Sequence, residues 1–385
     1  MTHTDRFARP RHDASAEHGI VYRNENQFCG WVFYCGLWQV ADGSVVAGFK
    51  RVQTSYDAYD NVDHGQIARK KGHLVTIRSR DGGASWDPSS VTEVFDMDTA
   101  RAEDLPGGGA DDWSGLPPID FASRDTLIMG GGIPALFARN AQAWLRASTD
   151  GGRSWRRPIL LPQFELGSLT HFGSSMYATR ADGVHLLGLQ TNAPDALSPR
   201  PLVYGTTDGS DWQFLSFMTP ERPPSPYYVL KSPFSPLPHF YPRLIVLRDG
   251  RVLASLRYQR DARNVIWTDI HESLDGGRTW AFLSRVNDWG APGDIVEMAD
   301  GRIVCVYGYR LMPSGIRYRV SEDGGRSWGS EMILRDDGGS WDLGYPRVIE
   351  IAPNRLLTVY YMNLASDPVQ MNGGVRHIAR TVFTP

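Results

Sequence analysis

An octet returns four times along this chain: SRDGGASW at Ser79–Trp86, STDGGRSW at Ser148–Trp155, SLDGGRTW at Ser273–Trp280 and SEDGGRSW at Ser321–Trp328. A shortened fifth copy, TTDGSDW, spans Thr206–Trp212. Asp followed by Gly is a turn signal, because Gly tolerates positive φ and the Asp carboxylate caps nearby backbone N–H groups. Alternating or β-branched runs precede the octets (HLVTIRS, AQAWLRAS, VIWTDIHES, IRYRVS) and short apolar runs such as AFLSRV and EMILR follow them. Each octet therefore reads as a hairpin loop between two strands, with its Trp packed back over the turn.

A second pattern runs out of phase with the first. VADGSVVAGF (Val40–Phe49), RADGVHLLGL (Arg180–Leu189), LRDGRVLASL (Leu247–Leu256) and MADGRIVCVY (Met298–Tyr307) each read as a D-G turn leading into an apolar strand, and APNRLLTVYY (Ala352–Tyr361) fits with its turn altered. One unit is then two hairpins, or four strands. The octet aspartates Asp81, Asp150, Asp208, Asp275 and Asp323 recur every ~50–70 residues, a spacing suited to propeller blades. Units begin near Cys29, Asp111, Ser168, Pro238, Gly290 and Asp342, and the last ends one strand short. GIVYRNENQF (Gly19–Phe28) can supply that strand and close the ring, removing the exposed sheet edges. The expected fold is all-β: one six-bladed β-propeller over residues 1–385, with residues 1–18 a flexible N-terminal segment.

Composition agrees with a large packed core, with 41% hydrophobic and 22% charged residues among 385. A net charge of −3, with both signs interspersed, gives no electrostatic case for a nucleic-acid or membrane partner. MTHTDRFARPRHDASAEHG has no apolar core of a secretory signal, and Cys29, Cys35 and Cys305 are sparse and odd in number, which points to a cytoplasmic location and to cysteines that act as small buried hydrophobes. No CxxC or HExxH pattern implies a metal, and no cofactor is expected.

The octets resemble the Asp-box of the sialidase (neuraminidase) superfamily, also called the bacterial neuraminidase repeat, and the resemblance covers essentially the whole chain. It implies the sialidase-type propeller. The box stands far from the reaction centre in that family and also occurs in non-enzymes, so chemistry has to be argued at the central pocket. A sialidase implies three arginines on a carboxylate, a Tyr nucleophile relayed by a Glu, and an Asp acid on a first-blade loop. Tyr345 in WDLGYPRV opens the innermost strand of the last blade, the family's place for the nucleophile; a channel-lining tyrosine is the other reading. Arg317 in SGIRYRVSEDGG matches the last clamp arginine, with Arg319 a solvated neighbour. The first clamp position carries Phe33 and Tyr34 instead, the fourth-blade position carries Asp269, and His239 stands nearest the place of the relay Glu.

The first-blade loop VQTSYDAYDNVDHG brings Asp57, Asp60, Asp63 and His64 behind Arg51, which matches the family's sugar-hydroxyl arginine. Asp63 with His64 is the expected acid/base pair, against a plain solvated loop. HFYPRLIVL and LGYPRVIEI repeat Tyr-Pro-Arg, so Tyr241, Arg243, Tyr345 and Arg347 are candidates to face the pocket together, Arg being suited to a bidentate grip on a carboxylate. The alternative is a repeated packing element whose arginines pair with a neighbouring carboxylate. His171, Trp31 and the Asp111-Asp112-Trp113 stretch also begin innermost strands, and Asp294 is a further carboxylate near a strand start.

Two functions follow. One is a glycan-active enzyme that removes an acidic sugar from the non-reducing end. Tyr345 would be nucleophile, Asp63 with His64 acid/base, and Arg51, Arg243, Arg317, Arg347, Tyr241, His171, His239 and Trp31 substrate-binding. The missing clamp arginines argue against ordinary sialic acid, and a uronate-cleaving lyase on the same propeller is the variant. The other is a non-catalytic glycan-binding propeller. The crowding of titratable groups in the expected pocket favours the enzyme.

Overall fold

The computed structural model describes residues 9–105, 113, 116–133, 142–162, 170–173, 175–192, 200–220, 237–261 and 265–385. Their strands form six sheets around a central axis, the propeller expected from the two repeats. Blade 1 runs outward from Gln27–Gly30 and Leu37–Gln39 through Val45–Gln53 and His73–Ser79 to Thr92–Asp96. Blade 2 contributes Leu127–Ile133, Gln142–Ser148 and Ile159–Leu160, and blade 3 Thr170–Gly173 with Ala178–Thr179, then His185–Asn192, Pro201–Thr206 and Gln213–Phe217. Blade 4 is Leu237–Val246, Val252–Asp261, Val265–Ser273 and Ala281–Arg285. Blade 5 is Gly293–Glu297, Ile303–Tyr309, Gly315–Ser321 and Met332–Arg335. Blade 6 is Gly344–Ala352, Arg355–Met362 and His377–Phe383, and its outer strand is the N-terminal Glu17–Tyr22.

That last pairing closes the ring as the sequence requires. The chain also leaves less of its N-terminus loose than the expected 18 residues: Arg11–His12 pairs in parallel with Met332–Ile333, and the Tyr318 hydroxyl donates to Asp13 at 2.8 Å. A polar composition misled here, because the ordering comes from edge pairing with blade 5 rather than from burial of apolar side chains.

The octets lie between the third and fourth strands and share one hydrogen-bond plan. In blade 1 the Ser79 hydroxyl donates to Asp81 (2.7 Å) and accepts from Gly83 N (2.8 Å), while Asp81 accepts from Ser85 N (2.9 Å). Ser148/Asp150, Ser273/Asp275 and Ser321/Asp323 repeat it, and Thr206/Asp208 keeps the serine-to-aspartate bond in the short copy. Hydrogen bonds from Ser85 and Ser79 pull the Asp81 carboxyl down to about 2. The second glycine needs its lack of a side chain: Gly83 has φ 94°, and a Cβ there would stand 2.6 Å from Leu357 of blade 6. The tryptophans also reach across blades, Trp280 Nε1 donating to Ser216 Oγ and Trp328 Nε1 to Ser284 Oγ, each at 3.0 Å. The octet is thus a clasp between neighbouring blades.

The core is divided among the blade interfaces. Phe95 of blade 1 stacks on Trp144 of blade 2 at 4.0 Å, and Leu187, Leu189, Leu202 and Tyr204 of blade 3 bury Ile128 and Leu145 of blade 2. All three cysteines are free and buried. No helix among the described residues is long and apolar enough to cross a membrane.

Candidate active site at the propeller axis

The innermost strands are interrupted at one level. Trp31 (φ 61°), Met176 (φ 71°), Tyr241 (φ 60°) and Tyr345 (φ 50°) all adopt the left-handed conformation that L-residues avoid. Strand register shifts at the same places, between Phe240 and Arg243 in blade 4 and between Gly344 and Arg347 in blade 6. Such a bulge costs about 1–3 kcal/mol per strained residue and re-aims a side chain, here toward the axis. Tyr241 and Tyr345 meet there (ring centroids 6.0 Å apart), joined by Tyr34 from the short helical turn Val32–Cys35 (5.0 and 5.7 Å) and by Tyr361 (5.7 Å from Tyr345). Burial pushes the Tyr34, Tyr241 and Tyr361 phenols well above their usual range.

A second ring of residues comes from the second strands. The residue seven places after the glycine of each D-G turn, or after its Asn354 counterpart in blade 6, is Lys50, Gln190, Arg257, Gly308 and Tyr361 in blades 1, 3, 4, 5 and 6. Four of these reach the centre or its rim. Gln190 Oε1 accepts from Tyr241 N at 3.0 Å, Lys50 Nζ lies 5.2 Å from the Trp31 ring, Tyr361 donates to Asp342 at 2.6 Å, and Arg257 Nη1 donates to the Tyr345 hydroxyl at 2.8 Å. Arg257 is 3% exposed and its other side-chain hydrogen bond among the described residues goes to Gln259; it makes no ion pair with a carboxylate among them. Its guanidinium lies 5.1, 5.3 and 5.7 Å from the rings of Phe240, Tyr241 and Tyr345. Arg310 approaches the other side of Tyr345, 5.6 Å from its ring.

His64 completes the centre. The loop that carries it is pinned by Tyr56, whose hydroxyl donates to Gln27 O (3.1 Å) and accepts from Arg376 N (2.8 Å). His64 Nδ1 lies 2.6 Å from Asp342 Oδ1, and the imidazole stands 6.4 Å from the Tyr345 ring, between Trp31 at 6.0 Å and Trp341 at 5.4 Å. Asp342 is fully buried and also accepts from Arg376 at 3.2 Å. Burial would raise its carboxyl, but His64 and Arg376 outweigh burial and hold it far below the usual carboxylate range. A carboxylate so held fixes the orientation of the imidazole through its Nδ1 edge.

The other expected residues are placed differently. Asp63 caps the short helix His64–Arg69 by accepting from Gln66 N at 3.1 Å, and the carboxylate beside His64 is Asp342 instead. Asp57 is tied to Ser55 and Asn61, and Asp60 is exposed. Arg243 and Arg347 do not offer a carboxylate grip: both pair with buried Asp294, at 2.9 and 3.0 Å, and Asp294 also accepts from Val348 N at 2.7 Å. The alternative of a packing element is the one realised, because Arg243 and Arg347 lie past the bulge, beneath the tyrosines. Arg347 is roofed by Phe33 at 4.6 Å, which is why an aromatic stands at that clamp position. Arg317 is likewise consumed, by Glu331 at 2.6 Å, and the Tyr307 hydroxyl donates to the same carboxylate at 2.6 Å. Thus the tyrosine–glutamate contact of this blade belongs to Tyr307 and not to Tyr345.

His239 pairs with Asp269 (2.7 Å) beside His271, Tyr258 and Trp267, a separate nest in blade 4. Arg51 is half-buried on blade 1, paired through its backbone with Cys29 and His73, and its side chain has no hydrogen bond and no ring contact at the centre among the described residues. Trp31 does reach the centre, whereas Trp113 packs in the core shared by blades 2 and 3. The side chain of His171, and Asp111 and Asp112 entirely, lie outside the described residues. His73, Asp96 and Asp98 gather on blade 1, but His73 Nδ1 is engaged by Glu93 at 2.7 Å, and no group at the centre has the makings of a metal set among the described residues.

Comparison with known proteins agrees with this architecture. No curated protein matches the chain. A protein of unknown function from Dyadobacter fermentans superposes with a TM-score of 0.72 at 21% identity, over 96% of this chain and 99% of its own. A Penicillium chrysogenum α-L-arabinanase does so at 0.62 and 11% identity, over 97% and 98%, and the Hadza microbial sialidase Hz136 at 0.58 and 16%, over 93% of this chain and 66% of its own. These likenesses establish the propeller. The BNR repeat-like domain model matches residues 131–356, more than half of the chain, and the protein is therefore a member of the BNR repeat-like family, built as a sialidase-type propeller.

Proposed function

We propose that this propeller is an exo-acting enzyme that cleaves a glycosidic bond in a glycan containing an acidic sugar, with Tyr345 and His64 as its reacting groups. The observation that carries the reading is the pairing of these two side chains, 6.4 Å apart ring to ring, each held by a buried charged partner: Arg257 on the Tyr345 hydroxyl and Asp342 on His64. A titratable side chain oriented by a third group is the arrangement expected of acid/base and nucleophilic catalysis. An anionic substrate fits a fully buried guanidinium that lacks a carboxylate partner, since an uncompensated buried charge is costly until a counter-charge arrives. Glycoside-hydrolase neighbours on the same fold support a carbohydrate substrate.

In the hydrolytic form, Tyr345 Oη attacks the anomeric carbon. His64 Nε2 takes the phenol proton and passes it to the departing glycosidic oxygen, while Arg257 stabilises the negative charge that grows on the phenol oxygen in between. In the second step His64 takes a proton from the water that attacks the anomeric carbon and returns it to the departing Tyr345 oxygen. A second reading, eliminative cleavage of a uronate, is favoured by one detail: the partner of the Tyr345 hydroxyl is an arginine and not a glutamate relay. Tyr345 and His64 would then exchange the C5 proton and protonate the leaving oxygen while Arg257 faces the uronate carboxylate. Incubation with sialosides, uronate oligosaccharides and neutral aryl glycosides tests both. New reducing ends without near-ultraviolet absorbance mean hydrolysis, reducing ends with it mean elimination, and neither from any acidic substrate contradicts the enzyme and leaves a glycan-binding propeller.

A further inference from the structure

Lys50 is a buried charge that the proposed reaction does not use. It stands on the second strand of blade 1, at the level of Gln190, Arg257 and Tyr361, and is 6% exposed. Each of those three holds one part of the centre: Gln190 the Tyr241 backbone, Arg257 the Tyr345 hydroxyl and Tyr361 the Asp342 carboxylate. The contacts of Lys50 show what it holds in turn. Its Nζ donates to Ala68 O at 3.4 Å and to Lys70 O at 2.5 Å. These carbonyls close the short helix His64–Arg69, whose first residue is His64.

A helix of six residues is too short to persist without tertiary support. At its start Asp63 accepts from Gln66 N. At its end the chain turns extended at Lys70 (φ −63°, ψ 141°), with no left-handed glycine to close the last turn. Carbonyls of a last turn have no donor inside the helix, and the Lys50 ammonium supplies one, with a charge that suits the negative end of the helix dipole. Burial draws Lys50 down to about 8 while Asp98 of the same blade works against that fall, so the group remains an ammonium at neutral pH. The same Nζ lies 5.2 Å from the ring of Trp31, which stands 6.0 Å from His64.

We propose that Lys50 is a positioning residue for His64: by anchoring the C-terminal carbonyls of the helix it sets where the imidazole stands relative to Asp342 and Tyr345. The proposal rests on the reading that His64 and Tyr345 are the reacting groups. It completes the level of second-strand residues, each of which then fixes one element of the centre from behind.

The test combines amide hydrogen exchange with a kinetic cycle on the full-length protein. The Ile67 and Lys70 amides donate to Asp63 O and Gln66 O and report on the helix. They are expected to exchange at least tenfold faster in Lys50→Met and to recover in Lys50→Arg, whose guanidinium can donate to the same carbonyls. On an acidic substrate, kcat should fall about 10–100-fold in Lys50→Met with KM within about twofold, the scale of a displacement near 1 Å. Added to His64→Gln, Lys50→Met should cost nothing further, since its effect passes through the imidazole; a merely structural role would slow both backgrounds alike. Unchanged exchange at Ile67 and Lys70, or an equal loss of kcat in the two backgrounds, overturns the proposal. If Lys50→Met does not fold, Lys50→Gln removes the charge and makes the same comparison. The two readings fail separately. Faster helix exchange in a protein that turns over no substrate removes the enzyme and keeps the anchor, whereas turnover with equal losses in both backgrounds removes the positioning role and keeps the enzyme.

Discussion

Arg257 Nη1 sits 2.8 Å from the Tyr345 hydroxyl, and no carboxylate among the described residues neutralises it. A buried ion of this kind works against stability, and a residue kept there for packing alone would be better replaced by an apolar one. Arg257→Met is therefore expected to leave the melting temperature unchanged or raised while lowering kcat by about 10²–10³-fold, the usual effect of removing one preorganised donor from a developing charge. Thermal unfolding and turnover measured on the same preparation check it; a large drop in melting temperature with turnover intact would contradict it.

Asp342 is expected to matter through His64. Asp342→Asn keeps the shape but removes the charge that holds the imidazole, so kcat should fall by about 10²–10⁴-fold. The carboxyl is depressed in the folded state, so its stabilising effect is complete above the usual carboxylate range and is lost as pH falls below about 4. Wild type should accordingly lose stability across that acidic window more steeply than Asp342→Asn, as denaturant titrations at several pH values would reveal.

Asp294 is the opposite case. It holds Arg243, Arg347 and Val348 N together beneath the tyrosines and touches no group proposed to react. Asp294→Asn should destabilise by about 3–5 kcal/mol, since it removes the buried charge that faces two buried guanidinium groups. At temperatures where the variant remains folded, its KM for an acidic substrate should stay within about twofold of wild type, well under the tenfold that 1.4 kcal/mol of binding would give. A large KM change in the folded variant would return these arginines to the binding site.

Two buried histidines set a pH dependence nearer neutrality. Burial draws both His271 and His377 down to about 4 from an ordinary value near 6.5. The unfolded chain binds these protons first, so stability is fully present above about pH 6.5 and is lost as pH falls from there to about 4, where the folded protein protonates as well. Replacing both with Gln should flatten the stability profile across that window, and an unchanged slope would assign it to other groups.

The fold was legible because the octets are local devices. Ser79, Asp81, Gly83 and Trp86 act within eight residues, so their chemistry shows in a short window, and the D-G turns set the strand period in the same way. Tyr345, Tyr241, Trp31 and His64 were also visible, as residues at strand starts or on the long first-blade loop. That the Tyr-Pro-Arg arginines pair with a carboxylate was one of two readings, and the sequence did not decide between them, because the left-handed bulge at Tyr241 and Tyr345 separates side chains that two-residue alternation places on one face. Nor did it reveal Arg257 and Asp342, which become partners of Tyr345 and His64 only across blades, 88 and 278 residues away in sequence. One signal did point to Arg257: counted seven residues from each turn glycine, the second strands bring Lys50, Gln190, Arg257 and Tyr361 to one level.

The most direct test of the central claim is kcat/KM for wild type and Tyr345→Phe, side by side, on the best acidic substrate, with circular dichroism to show that both are folded. The phenol is the group proposed to react, and its loss leaves the ring packing against Tyr34, Tyr241 and Tyr361 in place. The expected result is a loss of at least about 10³-fold in kcat/KM with an unchanged fold, a barrier increase of about 4 kcal/mol. Undiminished turnover in folded Tyr345→Phe would contradict the account, whatever the substrate proves to be.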